Sequence, residues 1–226
     1  MSTFHRAALI AGSLSALLFA GAPAHAVTIA SWTFETTSPA SAGPFAAEAG
    51  SGSASGFHAG AATFSSPAGN GSARSFSANT WAVGDYFQFS VSTLGLTGIT
   101  IAWDQTGSNT GPRDFQLAYS IDNGSSFTNV ASYSVINATW SSTVPVATTS
   151  FSYAVAGAAN AASVLFRLAD AGTASINGGT VAAAGTGRVD NVLISGVSAV
   201  PEPQTWALML AGVALMGVTI RRRAPR

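Results

Sequence analysis

Residues 85–91 read Asp-Tyr-Phe-Gln-Phe-Ser-Val, and apolar and polar side chains alternate along this stretch without a break. In an extended chain, successive side chains point to opposite faces, so one face here is apolar and the other is mostly polar. The apolar face comprises Phe87, Phe89 and Val91. Such alternation predicts a β-strand that is buried on one side.

The same pattern recurs along much of the chain. Further candidate strands with this alternation are residues 28–35, 99–104, 114–120, 127–135, 150–155, 163–168 and 188–195. Turns rich in Gly, Asn and Asp separate them, and no helical period intervenes. The sequence therefore predicts an all-β fold, an antiparallel β-sandwich.

Two segments are predicted to differ from this pattern. Residues 39–60 consist mainly of Ala, Gly and Ser, which offer little bulk for a core, so they are predicted to form a long loop. The last strand is apolar on both faces, with Val189 and Leu193 on one and Val192 and Ile194 on the other. This composition is typical of a central strand.

The composition excludes several classes of function. Residues 27–199 hold four arginines against eight acidic residues, a net charge of −4, and the chain has no lysine and no cysteine. A weakly acidic surface disfavours nucleic acid as a partner, because such binding needs clustered positive charge. His58 is the one histidine in that range, which disfavours His-dependent triads and multi-histidine zinc sites.

The first 26 residues have the layout of a signal peptide. His5 and Arg6 precede an apolar stretch at residues 7–20, and Ala24-His25-Ala26 is a small-x-small site for signal peptidase. The mature chain is predicted to begin at Val27. Residues 27–199 are then long enough for one domain with its own core.

Residues 200–226 form a tail with three parts. Pro201-Glu202-Pro203 comes first, an uncharged apolar run follows at residues 206–220, and Arg221, Arg222 and Arg223 come last. As a helix the run would extend roughly 22 Å, a marginal span of a ~30 Å hydrocarbon core. Positive charge beside a membrane helix stays cytoplasmic. The tail thus predicts a single transmembrane helix, with residues 27–199 outside the inner membrane.

The order of these three parts closely resembles the PEP-CTERM sorting signal of Gram-negative bacteria that make extracellular polysaccharide. The resemblance implies recognition by an exosortase, removal of the helix near Pro201-Glu202-Pro203, and release to the cell surface or matrix. The alternative is an ordinary C-terminal membrane anchor.

Residues 120–127, Ser-Ile-Asp-Asn-Gly-Ser-Ser-Phe, resemble an Asp-box hairpin. In that motif the aspartate side chain caps turn amides and a glycine adopts positive φ. A single copy predicts a structural hairpin without a catalytic role.

Both ends of the domain resemble the first and last strands of jelly-roll carbohydrate-binding modules. The matching residues are Trp32-Thr33-Phe34-Glu35 and Arg188-Val189-Asp190-Asn191-Val192. The resemblance implies a jelly-roll-like sandwich in which Glu35 and Asp190 hold one Ca²⁺, a cation that prefers oxygen ligands. The alternative is that Glu35 is a solvated strand end and that Asp190 pairs with Arg188 or caps a turn.

Sugar binding needs exposed aromatic rings, because ring C–H groups stack on them. Trp81 and Trp140 lie beside polar, turn-like residues and are the predicted sugar contacts. Nothing in the spacing of the acids selects a catalytic pair, although Asp104, Arg113 and Asp114 flank one loop. The protein is therefore predicted not to be an enzyme.

These observations favour an exported, non-enzymatic β-sandwich protein of the cell surface or extracellular matrix, associated with exopolysaccharide or biofilm. Its predicted partners are signal peptidase, an exosortase and the inner membrane before processing, with exopolysaccharide as a further candidate. The alternatives are a carbohydrate-binding lectin-like module and a secreted glycan-active hydrolase that uses two aspartates.

Overall fold

A computed structural model describes residues 25–198 and 209–213 of the chain. Residues 24–200 form one compact unit. Within the described part of that unit the strands are β1 (Ala26–Trp32), β2 (Phe45–Ala46), β3 (Ala49–Gly50), β4 (Gly52–Phe57), β5 (Phe64–Ser65), β6 (Phe76–Ala78), β7 (Tyr86–Val91), β8 (Leu96–Gly107), β9 (Asp114–Ser120), β10 (Thr128–Ser134), β11 (Ser150–Ala154), β12 (Val164–Asp170) and β13 (Gly187–Ser198). Two single 3₁₀ turns, Ala147–Thr149 and Ala156–Ala158, flank β11.

The strands form two antiparallel sheets. One has the order β11-β8-β13-β1-β3, with β6 also pairing with β13 and β5 with β6, and the other has the order β10-β9-β12-β7-β4-β2. Aromatic rings from the two sheets meet between them, with 5.2 Å between the ring centres of Trp32 and Phe89 and 4.8 Å between those of Phe76 and Phe87. The predicted all-β, jelly-roll-like antiparallel sandwich is confirmed.

The alternation that predicted the fold matches the observed burial. In β7 the side chains of Phe87, Phe89 and Val91 are buried, while the residues between them are partly exposed. Ile99, Ile101 and Trp103 in β8 are buried in the same way. Burial of apolar side chains at every second position is what holds each sheet to the core.

The prediction of a loop at residues 39–60 is wrong. β2, β3 and β4 lie in this range, and β4 pairs with β7 along its full length, from Gly52 opposite Val91 to Phe57 opposite Tyr86. Strand pairing uses backbone hydrogen bonds, so small side chains suffice where the neighbouring strand supplies the bulk. The first strand is also shorter than predicted, because β1 ends at Trp32 and Phe34 adopts a φ of 56°.

β13 is a central strand, as predicted, but its two apolar faces have a different cause. Asn191 has a φ of 49°, and the register with β8 shifts between Asp190 and Leu193. Val189 points inward before this bulge, and Val192 and Ile194 point inward after it. Leu193, predicted to share a buried face with Val189, is 38% exposed.

Most of the predicted signal peptide, residues 1–26, and most of the predicted sorting segment, residues 200–226, lie outside the described residues. Residues 209–213 are helical. No helix among the described residues is long and apolar enough to cross a membrane.

Candidate functional site

Planar side chains form a row across the outer face of the second sheet, and we call this row the aromatic ridge. It consists of Phe57 on β4, Tyr86 on β7, Arg167 on β12 and Phe127, which immediately precedes β10. The register explains the row, because Phe57 lies opposite Tyr86 and Arg167 lies opposite Gln88, the outward residue next to Tyr86. These positions alternate with the buried residues of the same strands.

The members of the ridge stack against one another. The rings of Phe57 and Tyr86 are 5.2 Å apart and inclined by 19°. The guanidinium carbon of Arg167 lies 3.9 Å from the ring centre of Tyr86 and 3.9 Å from that of Phe127. Arg167 Nε also donates to Gln88 Oε1 at 2.8 Å. Stacking and this hydrogen bond hold the planar groups in one orientation before any ligand arrives.

The ridge is open at one end. Phe57 is 49% exposed, and its one ring contact within the described chain is with Tyr86. Arg167 lies opposite Ala118 of β9, and Tyr86 lies opposite Ala169 of β12. Ala118 is buried, so the free surface of the ridge lies at its Phe57 end.

The sequence placed Tyr86 on the polar face of its strand but did not predict a site there. The outward face of β7, which includes Tyr86, followed directly from the alternation. Phe57 was missed because it lies in the range taken as a loop, and Arg167 and Phe127 were missed because their proximity to Tyr86 depends on strand order. No local sequence signal could have supplied that order.

Both tryptophans that were predicted to contact sugars are buried, so their expected exposure is wrong. Trp81 is 7% exposed, donates Nε1–H to the Ala78 carbonyl, and packs against Phe87. Trp140 is 4% exposed and donates to Thr149 Oγ1 at 3.1 Å. Nearby polar residues did not imply exposure, because each indole N–H finds its acceptor inside the fold, at the Ala78 carbonyl for Trp81 and at Thr149 Oγ1 for Trp140.

Asp190 lies in a buried polar cluster at the β13 bulge. Its Oδ2 accepts hydrogen bonds from Asn70 N at 2.8 Å and from Ser72 Oγ at 2.5 Å, while its buried Oδ1 has no partner among the described residues. Burial raises the pKa of Asp190 to about 6, and these hydrogen bonds offset only part of the rise. Neighbouring Asp104 accepts from Asn70 Nδ2 and Asn191 Nδ2.

Glu35, the other predicted calcium ligand, contacts Arg74, which lies in the segment whose residues Asn70 and Ser72 contact Asp190. Its Oε1 accepts from Arg74 N at 2.9 Å, and its carbonyl accepts from Arg74 Nη1. The free Oδ1 of Asp190 suits a cation, whereas N–H and O–H donors occupy the other oxygens of this cluster. The described residues hold no group of three or more His, Cys, Asp or Glu side chains placed to bind a metal. Calcium binding by Glu35 and Asp190 stays a prediction.

Asp104 and Asp114 are engaged separately. Arg113 holds Asp114 through two hydrogen bonds, at 3.0 and 2.8 Å, which lower the pKa of Asp114. Asp104 belongs to the Asp190 cluster, where Ser150 Oγ donates to it. A salt bridge between Arg113 and Asp114 therefore accounts for the proximity of these two charged residues in the loop.

The hairpin at residues 120–127 has the geometry that its resemblance implied. Asp122 Oδ1 accepts from Ser126 N at 3.0 Å and from Ser120 Oγ at 2.7 Å, and Gly124 has a φ of 89°. The hairpin joins β9 to β10 and brings Phe127 to the ridge.

Comparison with known proteins identifies the tail. Residues 199–223 match the PEP-CTERM protein-sorting motif. The predicted sorting motif, built on Pro201-Glu202-Pro203 and the arginine cluster, is thereby confirmed as a sequence feature of this chain. No curated protein is similar enough in sequence to be named as a relative.

Solved structures similar to the chain include a xylan-binding CBM22-1 domain from Paenibacillus barcinonensis Xyn10C. It is 15% identical, with a TM-score of 0.48 over 79% of this chain and all (100%) of that one. The K1 cleaved adhesin domain of Lys-gingipain from Porphyromonas gingivalis is 12% identical, with a TM-score of 0.44 over 75% of this chain and 97% of that one. At these scores the comparisons give no residue-by-residue correspondence.

Proposed function

We propose that this is an exported protein of the cell surface or extracellular matrix whose β-sandwich binds a glycan through the aromatic ridge without cleaving it. The observation that carries the proposal is the pre-stacked row of Phe57, Tyr86, Arg167 and Phe127 on an outer sheet face. The sorting motif at residues 199–223 supports the proposed export.

The ridge suits a sugar chain for physical reasons. Exposed aromatic faces, here that of Phe57 at the open end of the stack, pack against the C–H faces of pyranose rings, and guanidinium N–H groups donate to hydroxyls. A ridge that is already ordered loses little side-chain entropy on binding. The half-exposed ring of Phe57 offers the most open stacking surface in the row.

The residues around the ridge favour binding over catalysis. Glycoside hydrolysis needs two carboxyl groups beside the scissile bond. The outward positions that flank Tyr86 and Arg167 in the register are Ser55, Gln88, Ala118 and Ala169, none of which is acidic. A ligand on the ridge would meet amide, hydroxyl and methyl groups there.

The tail determines the route in this proposal. A signal peptide starts export, the apolar run holds the protein in the inner membrane, and an exosortase removes the tail near Pro201-Glu202-Pro203. Intact mass of the native protein tests this step. A mass that still includes residues 206–226 would mean a permanent anchor.

Glycan binding is tested with the purified full-length protein and the exopolysaccharide of the producing cells. Phe57→Ala removes the most open ring of the ridge and is expected to weaken binding roughly tenfold, the worth of one good ring contact. Tyr86→Ala removes the ring that holds Phe57 and Arg167 in place and is expected to weaken it by a similar factor. Leu94→Ala is the matched control, since Leu94 is 61% exposed and lies on a different part of the chain, and it is expected to leave binding unchanged.

The same samples separate the alternatives. Saturable binding to a single glycan structure would define a lectin. New reducing ends in the polymer would favour the hydrolase instead. Equal binding by the wild type and both ridge variants would contradict the ridge as the site.

A further inference from the structure

A pocket of about 190 Å³, partly open to solvent, lies at the end of the second sheet. Its walls come from the turn that precedes β7 and from the segments that follow β12, and they include Trp81, Val83, Asp170, Thr173, Thr180 and Val181. This volume equals roughly six water molecules, so the pocket admits one small ring or polar group rather than a polymer segment.

Asp170 is the unusual member of this wall. It is 2% exposed, and its Oδ1 receives one long hydrogen bond, from Gly172 N at 3.3 Å. Its buried Oδ2 has no partner among the described residues. A buried carboxylate with an unpaired oxygen is costly, so it favours a donor or a cation that enters the pocket.

The surroundings strengthen the negative potential at Asp170. Burial raises its pKa to about 6, and the nearby charges of Asp85 and Asp114 act in the same direction. Asp85 is itself satisfied by Ala59 N at 2.8 Å and Ala82 N at 2.7 Å. Within residues 25–198 no arginine or histidine forms an ion pair with Asp170, since Arg113 pairs with Asp114 and His58 with Asp85.

The remaining walls indicate what kind of cation fits. Trp81, Val83 and Val181 are apolar and suit the C–H surface of an organic group better than a hydrated metal ion. Thr173 and Thr180 add hydroxyl groups that can pair with ligand hydroxyls. A carboxylate, an apolar wall and hydroxyls together match a sugar ring that bears an ammonium group.

We propose that the Asp170 pocket binds an amino sugar, with its ammonium group paired to Asp170 and its ring against Val83 and Val181. This inference rests on the proposed glycan-binding function and specifies the sugar class. Tyr86 begins β7 and Asp170 ends β12, and these two strands pair antiparallel. The pocket and the Tyr86 part of the ridge therefore lie at the same end of the sheet, with Asp170 on the inward-facing side of β12 and Tyr86 on the outward-facing side of β7.

The test is calorimetric titration of the full-length protein with methyl β-glucosaminide at about pH 7, where Asp170 is mostly ionised. Methyl N-acetyl-β-glucosaminide keeps the ring and removes the charge. Nα-acetyl-lysine methylamide keeps the ammonium and removes the ring. We expect the glucosaminide to bind more tightly than either, and Asp170→Asn to weaken it roughly thirtyfold, as loss of one member of a buried charge pair does. Glu48→Gln, which neutralises a carboxylate outside the pocket, is the control and is expected to leave binding unchanged.

Several results would overturn the inference: no binding of the glucosaminide, equal binding of the N-acetyl sugar, or unchanged binding by Asp170→Asn. Equal or tighter binding of the lysine analogue would assign the pocket to a peptide ammonium instead. Failure of this test would not contradict glycan binding by the ridge, because that is measured separately through the effect of Tyr86→Ala on polymer binding. Conversely, if the ridge variants bound polymer normally, Asp170-dependent binding of the glucosaminide would still support the pocket.

Discussion

Asp122 in the β9–β10 hairpin and Asp190 at the β13 bulge accept hydrogen bonds from the same kinds of donor, yet their pKa values move in opposite directions. The hydroxyls of Ser126 and Ser120 and the Ser126 amide lower the pKa of Asp122 to about 2. Ser72 and the Asn70 amide also donate to Asp190, but burial raises its pKa to about 6. Hydrogen bonds of equal quality do not outweigh the loss of hydration inside the fold.

The two sites also differ in how far apart their partners lie in the chain. Ser126 is four residues from Asp122, whereas Ser72 and Asn70 are 118 and 120 residues from Asp190. A local turn assembles the first site, and the complete sandwich assembles the second. Changes at the bulge should therefore affect the whole fold, and changes in the hairpin should affect mainly the hairpin.

The strongest test of this contrast is Gly69→Ala. A Cβ at Gly69 would lie 2.0 Å from Ser72 Oγ, 2.1 Å from the Arg74 carbonyl oxygen and 2.2 Å from Asp190 Oδ2. We expect the free energy of unfolding to fall by more than about 3 kcal/mol, the upper end of ordinary overpacking, measured by urea denaturation. Gly60→Ala is the control, because its Cβ would have 3.9 Å to its nearest neighbour, Thr80 Cγ2. Equal stability of the two variants would mean that the bulge cluster adapts freely.

The next largest effect is expected for Asp190→Asn as a function of pH. Because the pKa of Asp190 is about 6 when folded, against about 4 for an unperturbed aspartate, the folded protein holds this proton more strongly than the unfolded chain. Its contribution to stability is present below pH ~4 and is lost as the pH rises towards 6, a change of about 2–3 kcal/mol. The variant should lack this loss in urea titrations at several pH values. Asp170, with a pKa also raised to about 6, should show an independent loss of the same sign, so Asp170→Asn is the matched comparison.

Calcium binding provides a further test of the Asp190 site. If Asp190 holds Ca²⁺, millimolar calcium should raise the thermal unfolding midpoint of the wild type and leave that of Asp190→Asn unchanged. The rise should be small, because a weak site contributes only a modest linkage free energy. An identical midpoint with calcium and with chelator would contradict the calcium hypothesis.

The smallest effect is expected in the hairpin. Since the pKa of Asp122 is lowered to about 2, its contribution to stability is present above the unfolded value near 4 and is lost as the pH falls towards 2. Asp122→Asn should remove this acid-side loss and speed amide hydrogen exchange mainly at residues 120–127. Exchange that increased throughout the sandwich would show that the hairpin is not local after all.

The contrast between local and distant partners also explains what the sequence could predict. Alternation in β7, β8 and β9 and the turn chemistry around Asp122 depend on neighbouring residues, and both were predicted correctly. β4 was missed because its pairing with β7 is a backbone property that its Gly- and Ser-rich side chains do not reveal. Leu193 was placed on the wrong face because the positive φ at Asn191 shifts the alternation of β13.

The candidate sites were less predictable for the same reason. The ridge joins β4, β7, β12 and the start of β10, so it exists only after strand order is known. Trp81 and Trp140 were judged from their neighbours in sequence, whereas their burial depends on partners such as Phe87 and Thr149. The sorting motif at residues 199–223 was predicted because its parts follow one another directly in the sequence and do not depend on strand order.

The bulge at Asn191 has a consequence for how the chain finds its register. Before the bulge the inward residues of β13 are odd-numbered, as at Val189, and after it they are even-numbered, as at Val192 and Ile194. If β13 paired with β8 without the bulge, only one half of the strand could keep its apolar side chains inward. The other half would turn its apolar side chains towards water. Misaligned pairings of this strand therefore expose apolar side chains to water, and the bulge disfavours them during folding.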